Sequence, residues 1–171
     1  MAQAFFPLRD YPELEPLREC WELIRREAQE FRADMVWVED DRTAGRVWQF
    51  APLQPEEEDR DPVLDELSHC LRRRANESAR VVGAIPGVLA YGFSLLLGGA
   101  TIGIHQHANP FVTAMLGLAV GDRCWITVGQ ETEHIRAGHM LIFDYTLPHT
   151  VVNESKEERL VLLVLLPNKS R

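Results

Sequence analysis

The sequence lacks formal charge over one long stretch, because no Asp, Glu, Lys or Arg occurs from Val81 to Gly121. Within it, the apolar run from Val88 to Ile104 approaches the roughly 20 residues that a membrane-spanning helix needs. Glycines interrupt this run, and Pro86 and Pro110 flank it, which favours buried β-strands separated by turns. We therefore expect no membrane segment.

Cysteine and positive charge are also scarce. The three cysteines, Cys20, Cys70 and Cys124, form neither a disulfide framework nor a CxxC metal motif, so we expect buried free thiols. The formal net charge of −8 leaves no basic surplus for phosphate contacts, which argues against a nucleic-acid partner. The N-terminus has no basic region followed by a long apolar core, so the sequence predicts a cytoplasmic protein.

The chain changes in character near residue 85. Its length fits one domain, 1–171, with a helical N-terminal flank over 1–85 and a strand-rich core over 86–167. Amphipathic patterns and prolines at helix starts predict three helices in the flank, with two extended segments between the first and second helices. The predicted helices are Pro12–Phe31, Pro62–Arg74 and Glu77–Ile85, and the extended segments are Met35–Val38 and Val47–Phe50.

Short apolar segments separated by turn residues follow one another after residue 85. Eight such segments without an intervening helix predict a mostly β fold, a sandwich or barrel. The predicted strands are Val88–Gly98, Thr101–His107, Phe111–Val120, Arg123–Val128, Glu133–Ile135, Met140–Phe143, His149–Val152 and Arg159–Leu166.

Three of the six histidines, His105, His107 and His149, lie in apolar predicted strands. His105 and His107 are two residues apart, so in a strand their imidazoles leave the same face, close enough to share one metal ion. Imidazole is the commonest metal ligand, and histidine-rich sites suit Fe, Zn, Cu or Ni. His149 is the natural third ligand, from a distant strand.

Arg159 begins the last predicted strand, ten residues after His149. If residues 153–157 form a hairpin loop, Val152 pairs with Glu158, and His149 and Arg159 become diagonal neighbours on one face of a sheet. A guanidinium there suits bidentate binding of a carboxylate. A solvated arginine in a charged turn explains the spacing equally well.

The segment from Gly138 to His149, GHMLIFDYTLPH, followed ten residues later by Arg159, resembles the aspartyl/asparaginyl β-hydroxylase family. The family pattern is G-x-x-L-x-F-D, then His, then Arg ten residues on. The opening helix around Trp21 and the segment AIPGVLAYGFS, which ends at Ser94, are also similar to this family. The resemblance covers nearly the whole chain.

Members of that family are iron(II) and 2-oxoglutarate dioxygenases with a double-stranded β-helix core. The resemblance therefore implies a jelly-roll, cupin-like fold with the N-terminal helices packed on one sheet. It makes His105 and His149 iron ligands, and it assigns Ser94 and Arg159 to the distal carboxylate of 2-oxoglutarate. The metal then carries the oxidation, while the protein supplies ligands, orientation and a dry pocket.

The sequence departs from the family pattern at several positions. His107 stands where the family usually has glycine, and we expect it to complete a three-histidine centre. Thr113 and Met115 stand where the family has an arginine and a histidine that help to bind the oxoacid; Thr113 is accordingly assigned to the same pocket. The alternative is a cupin-like three-histidine metal dioxygenase or metal-binding protein that uses no 2-oxoglutarate.

The substrate is not specified by the sequence. Family members act on aspartyl and asparaginyl side chains, free amino acids and lipid acyl chains. We expect a small molecule, since the chain shows no added peptide-binding domain. Trp37, Trp48 and Phe111 are candidates for the pocket wall, but core packing explains them equally well and is the role we favour for each. We interpret Asp144 as a turn residue rather than a ligand. The sequence does not specify the oligomeric state.

Overall fold

The computed structural model describes residues 3–39 and 41–170. The terminal residues of the predicted domain, 1–2 and 171, lie outside this part. Four α-helices precede the main body of strands, with short 3-10 turns before the first, after the second and before the third. They are α1 (Glu15–Glu19), α2 (Trp21–Glu30), α3 (Pro62–Arg74) and α4 (Asn76–Gly83). None of the helices in the described ranges is long and apolar enough to cross a membrane.

Eleven strands are described, and all eight predicted after residue 85 are among them. They are β1 (Phe5–Phe6), β2 (Val36–Trp37), β3 (Trp48–Gln54), β4 (Ala90–Leu96), β5 (Thr101–His105), β6 (Phe111–Ala119), β7 (Cys124–Val128), β8 (Glu131–His134), β9 (Met140–Asp144), β10 (His149–Asn153) and β11 (Arg159–Pro167).

The strands form two antiparallel sheets. A seven-stranded sheet has the order β1-β9-β6-β11-β4-β3-β2, and a four-stranded sheet has the order β5-β10-β7-β8. From β4 to β11 the chain passes back and forth between the two sheets, which is the topology of a double-stranded β-helix. The predicted mostly β, cupin-like jelly-roll class is therefore confirmed.

The strands of the larger sheet bury both faces, in two separate hydrophobic cores. One core joins the outer face to the helices, and the other lies between the sheets. In β11 the side chains alternate between them, as the period of two requires: Leu160 and Leu162 contact the helical side, whereas Val161 faces the second sheet. The expected packing of the N-terminal helices on one sheet follows from this alternation.

Residues 3–39 and 41–85 contain strands as well as helices. The extended segments predicted at Met35–Val38 and Val47–Phe50 form β2 and the start of β3, and β3 pairs with β4 over most of its length. The single helix expected from Pro12 to Phe31 is divided into a 3-10 turn, α1 and α2. Pro16 has no N–H to donate to an earlier turn, so a continuous α-helix cannot extend back to Pro12. Helix α3 begins as predicted, because the Asp61 carboxylate accepts hydrogen bonds from the N–H groups of Val63 and Leu64.

The predicted hairpin between β10 and β11 is wrong. Strand β10 pairs with β5 and β7, whereas β11 pairs with β4 and β6 in the other sheet. Buried Asn153 redirects the chain: its amide donates to the carbonyls of Leu97 (3.1 Å) and Glu157 (2.9 Å). His149 and Arg159 are therefore not diagonal neighbours on one sheet.

The cysteines differ from expectation in one respect. Cys124 is buried and Cys20 half-buried, but Cys70 is exposed on α3. The helix turns this side chain away from the apolar stripe that contains Leu67 and Leu71.

Candidate metal centre and its cavity

The structure brings three of the predicted site residues into one cluster. His105 and His149 are directly paired residues of β5 and β10, and their ring centroids lie 4.2 Å apart. His107 follows β5, and its ring centroid lies 5.3 Å from that of His105. One nitrogen from each of the three imidazoles can be chosen so that all lie within 4.8 Å of one another. This spacing lets three nitrogens surround a single metal ion.

Backbone carbonyls fix the orientation of two of these rings. Nδ1 of His105 lies 2.9 Å from the carbonyl oxygen of Gly103, and Nδ1 of His149 lies 2.8 Å from that of Leu147. Because a carbonyl only accepts, each Nδ1 carries the proton, and the lone pair that can bind a metal is on Nε2. The donor chemistry of the cluster therefore fits a divalent transition metal.

Burial keeps two of the three histidines uncharged. Desolvation, reinforced by the neighbouring histidines and Arg42, lowers the pKa of His107 to about 4. Desolvation also lowers the pKa of His149 to about 4, although the hydrogen bond to Leu147 raises it. Both imidazoles are thus neutral at pH 7, the form that binds a metal.

Tyr145 holds the third imidazole in place. Its ring stacks on that of His107 with centroids 3.7 Å apart and planes within 6°. The backbone N–H of His107 also donates to the carbonyl of Tyr145 at 3.3 Å. At its far end the Tyr145 hydroxyl donates to Glu56 Oε1 at 3.2 Å, so a residue from the segment between β3 and α3 supports the cluster.

The histidines line a cavity of about 640 Å³ between the two sheets. Arg159, Ser94 and Thr113 line the same cavity, so all six predicted site residues share it. Arg159 is 1 % exposed, and its Nη2 donates to Ser94 Oγ at 2.8 Å. It forms no ion pair with any described residue, and its Nε has no hydrogen-bond partner there.

Arg159 and Thr113 present orphaned polar atoms to this cavity. Burial lowers the pKa of Arg159 to about 10, which still leaves the guanidinium charged at neutral pH. The hydroxyl of Thr113, 2 % exposed, likewise has no partner among the described residues. A buried cation and a buried hydroxyl without partners are costly unless a ligand satisfies them, and a carboxylate does so.

Trp48 lines the cavity, a position that the sequence interpretation weighed but ranked below a core position. Its indole Nε1 donates to Ser94 Oγ at 3.0 Å, so it lies beside the proposed carboxylate site while it also packs against the core between the sheets. No local pattern marks this residue, because its contact depends on the register between β3 and β4. Trp37, in contrast, is 39 % exposed on the edge strand β2.

The loop after β3 forms another part of the cavity wall that was not predicted. Glu56, Glu58 and Asp59 line the cavity. They belong to residues 54–61, an acidic, proline-flanked segment that the sequence alone predicts to be a solvated connection. Arg42 lines the cavity too, with its guanidinium 5.3 Å from the Trp48 ring centroid.

Gly103 allows the Arg42 segment to approach β5. Its N–H donates to the Arg42 carbonyl at 2.7 Å, and a Cβ at Gly103 would lie only 3.1 Å from that oxygen.

Asp144 lies in a turn, as predicted. Its carboxylate accepts hydrogen bonds from the N–H and the hydroxyl of Thr146.

Solved structures share this fold at low sequence identity. A prolyl-4-hydroxylase from Pseudomonas putida is 18 % identical with a TM-score of 0.54, over 89 % of this chain and 88 % of its own. SnoN, a non-heme α-ketoglutarate-dependent epimerase of nogalamycin biosynthesis, is 16 % identical with a TM-score of 0.55, over 86 % and 71 %. A predicted oxalate decarboxylase from Thermotoga maritima is 16 % identical with a TM-score of 0.50, over 78 % and 92 %.

Fold and site together define a cupin-like β-helix protein with a three-histidine cluster in its cavity. The sequence is more specific, since residues 18–168 match the family described as aspartyl/asparaginyl beta-hydroxylase. The chain belongs to that family, as its sequence motifs indicated. No protein of curated function matches it.

Proposed function

We propose that this protein is an Fe(II)- and 2-oxoglutarate-dependent dioxygenase that hydroxylates a C–H bond of a small molecule or amino-acid side chain. One observation carries the proposal: a buried arginine without a counter-anion shares a cavity with three clustered imidazoles. The two groups suit the two cofactors, a carboxylate ligand and a metal ion. Membership of a hydroxylase family supports the same chemistry.

His105, His107 and His149 would hold the iron. Bound there with 2-oxoglutarate, it would supply the oxidation of C–H to C–OH by dioxygen, coupled to conversion of the oxoacid to succinate and carbon dioxide. Burial keeps His107 and His149 neutral, and the carbonyls that accept from Nδ1 of His105 and His149 place the lone pair of each ring on Nε2. Tyr145 keeps the ring of His107 from turning away.

Arg159, Ser94 and Thr113 would bind the distal carboxylate of 2-oxoglutarate. Arg159 supplies the charge and Ser94 and Thr113 supply hydroxyls, all from buried strands of the larger sheet. A buried guanidinium without a counter-anion costs free energy, and a carboxylate bound beside it would remove that cost by neutralising its charge. Their rigid backbone positions give the oxoacid one orientation relative to the histidines.

The size and lining of the rest of the cavity limit which substrate can bind beside the oxoacid. Its volume of about 640 Å³ suits a small molecule together with the oxoacid. Apolar side chains such as Val38, Phe50 and Leu163 line much of the wall and limit water near the reacting carbon. We therefore propose a small-molecule or single-side-chain substrate.

The alternative is a three-histidine metal dioxygenase or metal-binding protein that does not use 2-oxoglutarate. Two residues favour it: Thr113 and Met115 line the cavity where the family has an arginine and a histidine that contact the oxoacid. The buried Arg159 favours the first proposal, because a protein without an acidic ligand gains nothing from that charge.

Anaerobic loading with Fe(II), followed by addition of 2-oxoglutarate and oxygen, separates the two. The first proposal predicts metal binding at one site per chain and succinate that accumulates with oxygen consumption. Oxygen consumption without any effect of 2-oxoglutarate supports the alternative. Failure to take up metal contradicts both.

A further inference from the structure

The Ser94 hydroxyl sits between two groups that can only donate hydrogen bonds. Trp48 Nε1 donates to its oxygen at 3.0 Å, and Arg159 Nη2 donates at 2.8 Å. An indole N–H and a guanidinium have no acceptor atom, and a serine oxygen has two lone pairs and one proton. Both lone pairs are therefore occupied in this arrangement.

The register of three neighbouring strands produces this convergence. Trp48 in β3 and Arg159 in β11 are both paired with Leu96 of β4, one on each side of it. Ser94 lies two residues from Leu96 and thus on the same face, diagonal to both. The two long side chains lean along the sheet toward the same small hydroxyl.

The hydroxyl proton of Ser94 can therefore be donated only to a ligand in the cavity. This proton has no acceptor among the described residues, and the two lone pairs of the Ser94 oxygen already accept from Trp48 and Arg159, so they cannot accept from a ligand. Arg159 Nε, the other spare group nearby, is also a donor. The deep end of the cavity consequently offers donors to a group that only accepts, which is the pattern of a carboxylate.

We propose that Trp48 is a positioning residue for the cosubstrate: its N–H occupies one lone pair of Ser94 and so directs the Ser94 proton to the distal carboxylate of 2-oxoglutarate. This inference rests on the proposed function. Without the indole N–H, the hydroxyl has a free lone pair and can rotate or donate to water. The carboxylate then loses a preoriented donor.

The test compares two oxoacids on the Fe(II)-loaded protein without oxygen, by titration calorimetry. 2-Oxoglutarate has a distal carboxylate, and 2-oxobutanoate has none but chelates a metal in the same way. We expect Trp48→Phe to weaken 2-oxoglutarate binding about three- to tenfold, as one neutral hydrogen bond is worth, and to leave 2-oxobutanoate binding unchanged. Trp125→Phe, at a tryptophan that stacks on His134 outside the cavity, is the matched control and should change neither.

A double-mutant cycle with Ser94→Ala shows whether Trp48 acts through the hydroxyl. We expect Trp48→Phe to have no further effect on 2-oxoglutarate binding once Ser94 is alanine. Equal losses for both oxoacids, or a full additional loss in the Ser94→Ala background, would overturn the inference and make Trp48 a packing residue. Unchanged binding of 2-oxoglutarate in Trp48→Phe overturns it as well.

Two further arms keep the outcome decisive. If Trp48→Phe does not fold, as judged by thermal unfolding, benzothienylalanine at position 48 replaces the N–H by sulfur at nearly the same shape and takes its place. If the wild-type protein binds iron and 2-oxobutanoate but gains nothing from the distal carboxylate, the inference fails while an oxoacid-dependent function survives. If the wild-type protein binds neither oxoacid, the proposed function fails and the inference with it.

Discussion

His105 and His149 come from strands 44 positions apart in the sequence, yet they are directly paired across β5 and β10, with ring centroids 4.2 Å apart. Two ligands held at paired positions of one sheet need little rearrangement to receive a metal. His107 completes the cluster from the segment after β5, where the chain leaves the sheet. Each of the predictions below depends on this cavity.

Removal of a paired histidine should abolish tight metal binding. We expect His149→Ala to reduce Fe(II) affinity by more than about a hundredfold, since loss of a ligand exceeds the ten- to hundredfold effect of an outer partner. Competition with a colorimetric chelator measures this. His139→Ala, at an exposed histidine outside the cavity, is the control and should bind metal like the wild type. Equal affinity in the two variants contradicts the assignment of His149 as a ligand.

His107→Gly restores the residue that the family usually has at this position. If His107 is the third ligand, this change should lower metal affinity at least about tenfold while leaving a two-histidine site. It should also change the visible spectrum of the Co(II)-substituted protein, which reports the number of nitrogen ligands. Gln106→Gly, at the exposed residue between the two histidines, controls for the added backbone freedom. A spectrum unchanged by His107→Gly would show that this imidazole does not coordinate.

Replacing Arg159 by an apolar residue should stabilise the fold and weaken 2-oxoglutarate binding. We expect Arg159→Leu to raise the free energy of unfolding of the ligand-free protein by about 1 kcal/mol, because an isolated buried charge is replaced by an apolar side chain. The same change should lower 2-oxoglutarate affinity by more than about a hundredfold, as expected for a lost charge-assisted contact. Urea unfolding with and without 2-oxoglutarate measures both quantities.

The control for Arg159 is an exposed arginine. Arg123 pairs with Glu154 at the surface, so Arg123→Leu should change unfolding and binding by less than about 0.5 kcal/mol. If Arg159→Leu destabilises the protein by several kcal/mol and leaves 2-oxoglutarate binding intact, Arg159 serves the fold and not a ligand.

Two substitutions at Tyr145 should separate its ring from its hydroxyl. Tyr145→Phe keeps the stack on His107 and loses the bond to Glu56, so we expect about 1 kcal/mol of destabilisation and unchanged metal affinity. Tyr145→Leu loses the stack too, and should weaken metal binding about three- to tenfold. Thermal unfolding and metal competition distinguish these effects. Equal metal affinity in both variants would show that the stack does not position His107.

Much of the β-helix was predictable from local patterns. The eight strands after residue 85 are short segments separated by turn residues such as Gly99 and Gly138, which both have positive φ. The histidine cluster followed from the spacing of His105 and His107 and from a motif around His149. These signals are short in range, and the sequence carries them directly.

The pairing of strands far apart in the sequence was harder to predict. A hairpin between β10 and β11 satisfied the local turn spacing, but the fold places these strands in different sheets. Trp48 has no local mark of function, because its partner Ser94 lies 46 residues away and is reached only through the register of β3 with β4. The acidic loop around Glu56 was missed for the same reason, since its position beside Tyr145 depends on a contact over 89 residues.

Strand β11 assigns two tasks to one short sequence. Its even-numbered side chains, such as Leu162 and Val164, hold the helices against the sheet, whereas odd-numbered ones, such as Arg159 and Leu163, line the cavity. A substitution at Leu162 or Val164 acts on the packing of the helices, and one at Arg159 or Leu163 acts on the wall of the cavity. The chemistry of this cavity can therefore diverge, one alternate residue at a time, over an unchanged helical layer.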